Sequence, residues 1–254
     1  MLRRMVILIS LAAFAATLIG GVLALRFKDK LHLILGFSAG AVIGVAFFDL
    51  LPEAIDLGSR FYSIATITTI TACGFLVYLV LDRVVFLHGH ADGDEHDHAP
   101  NTGLTENKHI RRGILGAGSL SIHSFLDGVA IGLAFQVSAA IGAIVAIAVL
   151  VHDFSDGINT VNLILKNKGE GRFAFKWLIV DAVAPVLGAA STLLFSLPEK
   201  SLSIVLAGFA GFFLYIGASD LIPESHHAHP KFLTTAMTLL GAAVLFTAIH
   251  LANL

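Results

Sequence analysis

Two short segments of this chain each place an imidazole and a carboxylate four residues apart. The first is His123-Ser124-Phe125-Leu126-Asp127-Gly128 and the second is His152-Asp153-Phe154-Ser155-Asp156-Gly157. On a helix, residues four apart stand one above the other, so each segment aims one imidazole and one carboxylate in a common direction. The two pairs supply four candidate metal ligands: His123, Asp127, His152 and Asp156. Imidazole and carboxylate bind Zn2+ tetrahedrally at about 2.0–2.2 Å. The same donors accept Fe2+, Mn2+ or Cd2+, so ligand type alone leaves the metal open. The sequence flanking both segments is nearly all apolar, which sets these groups deep in a bilayer. Ionisable side chains at that depth are costly and mark a substrate or ion path.

The elements that must hold these groups are membrane helices. Of 254 residues, 56% are hydrophobic and 13% charged, and the mean hydropathy is +0.86, values outside the range of an ordinary soluble domain. A crossing helix needs roughly 20 apolar residues. Eight stretches qualify, at about residues 5–25, 32–54, 62–87, 112–135, 138–165, 173–196, 201–222 and 232–253. The expected fold class is all-α, a polytopic membrane protein. Residues 1–87 form a first set of three helices, residues 88–110 a loop, residues 111–165 a hairpin bearing both segments, and residues 166–254 a second set of three. The single cysteine, Cys73, excludes an internal disulfide and a thiolate cluster.

Positive charge is unevenly divided between the two sides. Arg3, Arg4, Arg60 and Lys200 share a side with both termini, while the other twelve of the sixteen Lys and Arg residues lie opposite. The positive-inside rule then predicts a multi-pass plasma-membrane protein with both termini outside and loops one, three, five and seven in the cytoplasm. Residues 1–21 also fit a cleaved signal peptide, with Arg3 and Arg4 before an apolar run. The run continues unbroken to Leu25, which favours a span.

Along the chain, Gly20 and Gly21 in span one suit close helix contact. Span two is rich in small residues and ends in Asp49, Pro52 and Glu53, which fit either a headgroup position or a gate. Span three carries Tyr78 and Asp82-Arg83 at its inner border, where interfacial anchors belong. The loop that follows holds His88, His90, His96, His98 and His109 among acids, a composition predicting disorder and loose metal capture. Span five continues its polar face with Asn159, Thr160 and Asn162, and span six contains Asp181 one turn before Pro185. His32 and His250 read as interfacial.

Span seven ends in Asp220-Leu221-Ile222-Pro223-Glu224, which matches Asp49-Leu50-Leu51-Pro52-Glu53 apart from one aliphatic exchange. His226, His227 and His229 follow. Spans two and seven run in opposite directions, so one copy faces outside and the other the cytoplasm. With the paired segments of the hairpin, this predicts a three-plus-two-plus-three plan about a two-fold axis in the membrane plane. Such inverted repeats place a carrier's site at mid-membrane, with each half gating one side. Asp49, Glu53, Asp220, Glu224, His226 and His227 are the candidate gate and exit residues.

The embedded acids are Asp49, Asp127, Asp153, Asp156, Asp181 and Asp220, and no lysine or arginine lies deep in any span. Buried anions without fixed cations must be protonated or hold a cation supplied from outside. The alternative is a structural His–Asp network bracing the hairpin. A carrier must also release its metal, and protonation of the ligands weakens binding. Transport that depends on pH is therefore expected.

These motifs resemble those of the ZIP family of divalent-metal transporters. HSFLDGVAIG resembles that family's HNFxDGxAIG or HNxPEG signature, and HDFSDG resembles HExPEG or HExPHE. The GFSAG…LLPEA stretch of span two and the His-rich loop fit as well. The resemblance implies an eight-helix carrier bringing Zn2+ or related metals into the cytoplasm, with His123, Asp127, Asp156 and His152 as primary ligands. Ser124 stands where the family usually has Asn, Asp replaces Glu in both signatures, neither signature carries the proline, and Ala184 occupies the place of an acid before Pro185. A second, weaker site would then draw on Asp153, Ser124 and Asp181. The implied partners are divalent cations as substrate and the lipid bilayer, with no prosthetic group and no nucleic acid; a homodimer is compatible. Rival readings are a metal exporter and an intramembrane zinc hydrolase built on a metal-activated water. The exporter type usually adds a soluble domain, and no general base beyond the ligands is evident for the hydrolase.

Overall fold

The computed structural model describes residues 2–26, 32–90, 103–167, 169–225 and 231–252. Among the described residues there is no strand, and eight helical stretches are long and apolar enough to cross a membrane. The helices are α1 (Leu2–Arg26), α2 (His32–Val45), α3 (Leu51–Gly58), α4 (Ile64–His90), α5 (Gly103–Val137), α6 (Ala139–Lys166), α7 (Gly171–Ser191), α8 (Glu199–Tyr215), α9 (Ile222–Ser225) and α10 (Lys231–Ala252).

Two spans are not regularly wound. A π turn at Ala46–Leu50 joins α2 to α3, and another at Ile216–Leu221 joins α8 to α9. In each, an N–H reaches back five residues, from Leu51 to the Ala46 carbonyl and from Ile222 to the Gly217 carbonyl. The prolines Pro52 and Pro223 follow directly, at the start of the next helical segment, where a missing N–H costs least. Both copies of the Asp-Leu-aliphatic-Pro-Glu motif therefore lie where their helix widens.

Burial runs opposite to that of a soluble protein. Leu8 is 66% exposed and Leu239 67% exposed, while His152 and Asp153 are at 0%. Apolar side chains face outward because lipid solvates them, and backbone polar groups are satisfied within each helix because lipid cannot do so. The helix pair α5–α6 turns at Ser138, whose hydroxyl accepts the N–H of Ile141 and caps α6.

Glycines set the tightest contacts. α1 packs on α6 and α7, and α5 packs on α6 and α7. A Cβ at Gly20 would strike the Phe154 carbonyl, and one at Gly157 the carbonyl of Thr17, so α1 and α6 meet backbone to backbone. The α5–α7 seam repeats this arrangement, with Gly128 against the carbonyl of Pro185 and Gly188 against that of Phe125. The remaining spans pair as α2 with α10 and α4 with α8. Gly40 lies on Thr238 and Gly241 on Phe37 in the first pair; Gly74 lies on Gly208 and Gly211 on Thr71 in the second. In lipid, where no hydrophobic force draws helices together, such close approach supplies the dispersion contact that does. α1 is thus packed into the bundle against α6 and α7.

Gln136 fastens the hairpin turn to the connection between α7 and α8. Its Nε2 donates to the carbonyls of Thr192 at 3.0 Å and Phe195 at 2.9 Å, and its Oε1 accepts from Leu197 N–H at 3.0 Å. Gln136→Ala is expected to lower stability by about 1–3 kcal/mol through the freed backbone groups, measurable as a lower melting temperature in detergent.

The sequence expectation needs correction at the loop of residues 88–110. Helix α4 continues to His90 and α5 already begins at Gly103, so the described ends of this loop are helical. Prolonging a helix past the apolar stretch keeps its backbone hydrogen bonds paired, and Leu, Glu, Lys and Arg between residues 104 and 112 favour it. His96 and His98, the core of the expected metal-capturing tract, lie outside the described residues.

Candidate metal centre

Helices α5 and α6 bring their two segments together at one depth. His123, Asp127, His152 and Asp156 are all buried, and each offers a ligand atom within 4.8 Å of the others. His123 Nε2 lies 3.2 Å from Asp127 Oδ2 and 3.4 Å from Asp156 Oδ2. His152 Nε2 lies 3.3 Å from the same Asp127 oxygen. Asp127 thus stands between the two imidazoles. The glycines at the end of each segment, Gly128 and Gly157, press the segments against α7 and α1 and fix their rotation.

The second ring nitrogens show how the imidazoles are aimed. His152 Nδ1 is 2.9 Å from the carbonyl of Ala148. A carbonyl can only accept, so Nδ1 carries the proton and Nε2 is turned into the cluster. There, His152 Nε2, Asp127 Oδ2 and Asp156 Oδ2 have no hydrogen-bond partner. Electron-rich atoms gathered this closely, out of water, need a shared positive charge, either a proton on an imidazole paired with a carboxylate or a metal cation. A tetrahedral divalent cation fits the chemistry of two imidazoles and two carboxylates.

The other predicted residues take different places. Asp153 is fully buried beside the group, with Oδ1 at 4.0 Å from His152 Nε2 and neither carboxylate oxygen hydrogen-bonded. Ser124 and Asp181 are bound to each other: Ser124 Oγ donates to Asp181 Oδ1 at 2.8 Å, and Thr160 Oγ1 donates to Asp181 Oδ2 at 2.7 Å. The Asp181 carboxylate on α7 therefore ties α5 to α6 with both its oxygens, and it is not among the four gathered candidates. Asp49, at the π turn, is 6% exposed with Oδ2 unpartnered, so its carboxylate is turned in among the helices. Glu53 is half-buried one turn on. Asp220 falls within the π turn and Glu224 within α9, whereas His226 and His227 lie outside the described residues.

Three contributors escaped the sequence reading. Tyr78 is not an interfacial anchor, since its hydroxyl lies 3.0 Å from His123 Nδ1. Ser38 Oγ on α2 donates to the Val151 carbonyl at 2.9 Å and lies 3.2 Å from Ser155 Oγ, pinning α2 to α6 beside the cluster. Thr160 was visible only as part of a polar face. Its buried carboxylate partner is 21 residues away on the next helix, which local spacing cannot reveal.

Residues 88–248 match the family model described as ZIP Zinc transporter. The zinc transporter ZupT of Corynebacterium aurimucosum is 26% identical over 249 residues, covering 90% of this chain and 92% of that protein. ZupT of Corynebacterium efficiens is 28% identical over 262 residues, covering 93% and 95%. The mouse zinc transporter ZIP13 is 24% identical over 226 residues, covering 77% of this chain and 62% of that protein. The paired segments, the eight apolar helices and the matching family model agree, and the chain belongs to the ZIP zinc transporter family.

Proposed function

We propose that this transporter carries a divalent metal, Zn2+ before Fe2+, Mn2+ or Cd2+, into the cytoplasm through a site made by His123, Asp127, His152 and Asp156. The observation that carries the reading is the group of unpartnered buried atoms, His152 Nε2, Asp127 Oδ2 and Asp156 Oδ2, gathered where a cation would satisfy all three. Asp153 lies close enough to serve as an alternative ligand during loading or release. Family membership makes the protein a transporter and removes the hydrolase alternative.

Passage from either side is assigned to the two π-turn motifs, with Asp49 and Glu53 at the outer mouth and Asp220, Glu224, His226 and His227 at the inner. The seams support the three-plus-two-plus-three plan: exchanging α1 with α7, the α2 span with the α8 span, α4 with α10, and α5 with α6 maps each glycine seam onto its counterpart. The cytoplasmic direction and the extracytoplasmic termini rest on the charge bias, with twelve of sixteen Lys and Arg on one side. A C-terminal tag cleaved by protease added outside intact cells supports that orientation, and a protected tag reverses it.

Sealed liposomes holding the purified protein are expected to accumulate 65Zn2+ down its gradient, and cells expressing it to accumulate rather than lose the label. Uptake should fall as pH is lowered, because imidazole and carboxylate must be deprotonated to coordinate. Uptake that is flat across the range where His and Asp titrate, or its absence from liposomes, contradicts the proposal.

A further inference from the structure

The two imidazoles of the centre are secured in different ways. His152 turns Nδ1 to the carbonyl of Ala148 on its own helix, so its tautomer is set by α6 alone. His123 turns Nδ1 to the hydroxyl of Tyr78, on α4, at 3.0 Å. A hydroxyl can donate or accept, so it fixes the ring only while α4 stays against α5. Tyr78 is itself held by aromatic neighbours on α8: Phe212 at 5.4 Å and Tyr215 at 5.3 Å between ring centroids. It meets His123 edge to face at 5.7 Å. This packing gives the phenol ring little freedom and sets its oxygen beside His123 Nδ1.

We infer that Tyr78 is a positioning residue for metal binding: its hydroxyl accepts the Nδ1–H of His123 and so presents the Nε2 lone pair towards Asp127 and Asp156. The inference rests on the reading of His123 as a ligand. An imidazole bound to metal is normally oriented through its other N–H, and losing that partner costs about 10–100-fold in affinity. No other described contact to His123 Nδ1 does this work. Because the partner sits on a different helix, the affinity of His123 depends on how α4 and α5 are placed, whereas that of His152 does not.

The test is Co2+ binding to the full-length protein in lipid nanodiscs, followed by the visible absorption of the bound metal and by competition with a chelator. Tyr78→Phe keeps the ring and removes only the oxygen. It is expected to bind Co2+ about 10–100-fold more weakly, with an altered absorption band and an unchanged melting temperature of the metal-free protein. His123→Ala and the double variant Tyr78→Phe/His123→Ala should bind equally weakly, because Tyr78 acts only through His123. Affinity of Tyr78→Phe within about twofold of the parent, against the loss expected of an orienting partner, overturns the inference. So does a further loss in the double variant, or a melting temperature that falls with the affinity. If His123→Ala binds Co2+ as well as the parent, the metal-site reading itself fails, whatever Tyr78→Phe does.

Discussion

Asp127→Asn is expected to abolish measurable zinc uptake while the protein still folds. One Asp127 carboxylate oxygen lies 3.2 Å from the His123 imidazole and 3.3 Å from that of His152, so it bridges the two. A four-ligand protein zinc site is worth about 10–16 kcal/mol, so one ligand accounts for roughly 3 kcal/mol, or about 100-fold in affinity. Loss of the central charge should exceed this share, since it leaves both imidazoles facing an uncharged amide. The metal-free protein loses nothing comparable. Asn keeps the shape of Asp, and His123, His152, Asp153 and Asp156 remain buried around it, so the packing of the metal-free bundle is retained. The expected signature is therefore folded protein by size exclusion, together with the loss of the upward shift in melting temperature that Zn2+ gives by binding the folded state. A variant that takes up 65Zn2+ at more than about a tenth of the parent rate, against the affinity loss argued above, would remove Asp127 from the centre of the site.

Gly128→Val and Gly157→Val should each prevent recovery of folded protein. An added Cβ would strike the Pro185 carbonyl in the first case and that of Thr17 in the second. Backbone cannot move aside as a flexible side chain can, so the whole seam must open. Overpacking a well-filled interior costs typically 1–3 kcal/mol, and a branched side chain wedged between two helices should reach or pass the upper figure. Size-exclusion profiles in detergent should show aggregate in place of the folded peak. Gly171→Val serves as the control, because no atom lies within 4 Å of a Cβ there, and its profile should match the parent's. Equal behaviour of all three variants would mean that the seams do not hold the bundle together.

The architecture was legible because lipid imposes a coarse rule: spans must be long, apolar and helical. All eight stretches were found in this way, and the four gathered candidates, His123, Asp127, His152 and Asp156, were indicated by spacing, since residues four apart share a helix face whatever else surrounds them. Contacts between helices were less accessible. Tyr78 had the look of a boundary residue because its sequence neighbours Asp82 and Arg83 mark the end of the apolar run, and nothing within its own helix indicates His123, 45 residues later. Asp181 shared a face with no other acid, so its role as a brace through Ser124 and Thr160 depended on the packing of three helices. The ends of the His-rich loop were misread because acid-rich composition argues against a packed core, yet a helix prolonged from a membrane span needs no core of its own.

The π turn at Ala46–Leu50 also reconciles two demands that an evenly wound helix could not meet. Upstream, Gly40 must face the backbone of Thr238 on α10. Downstream, the carbonyl of Ala54 must meet the Ser203 hydroxyl on α8, at 2.7 Å. Each residue of a regular helix turns the chain by about 100°, so deleting one residue between these points would straighten the winding and swing one half away from its neighbour. Length differences among related proteins at this position should therefore come with a rebuilt face on α8 or α10, and a shortened chain without one would forfeit a seam.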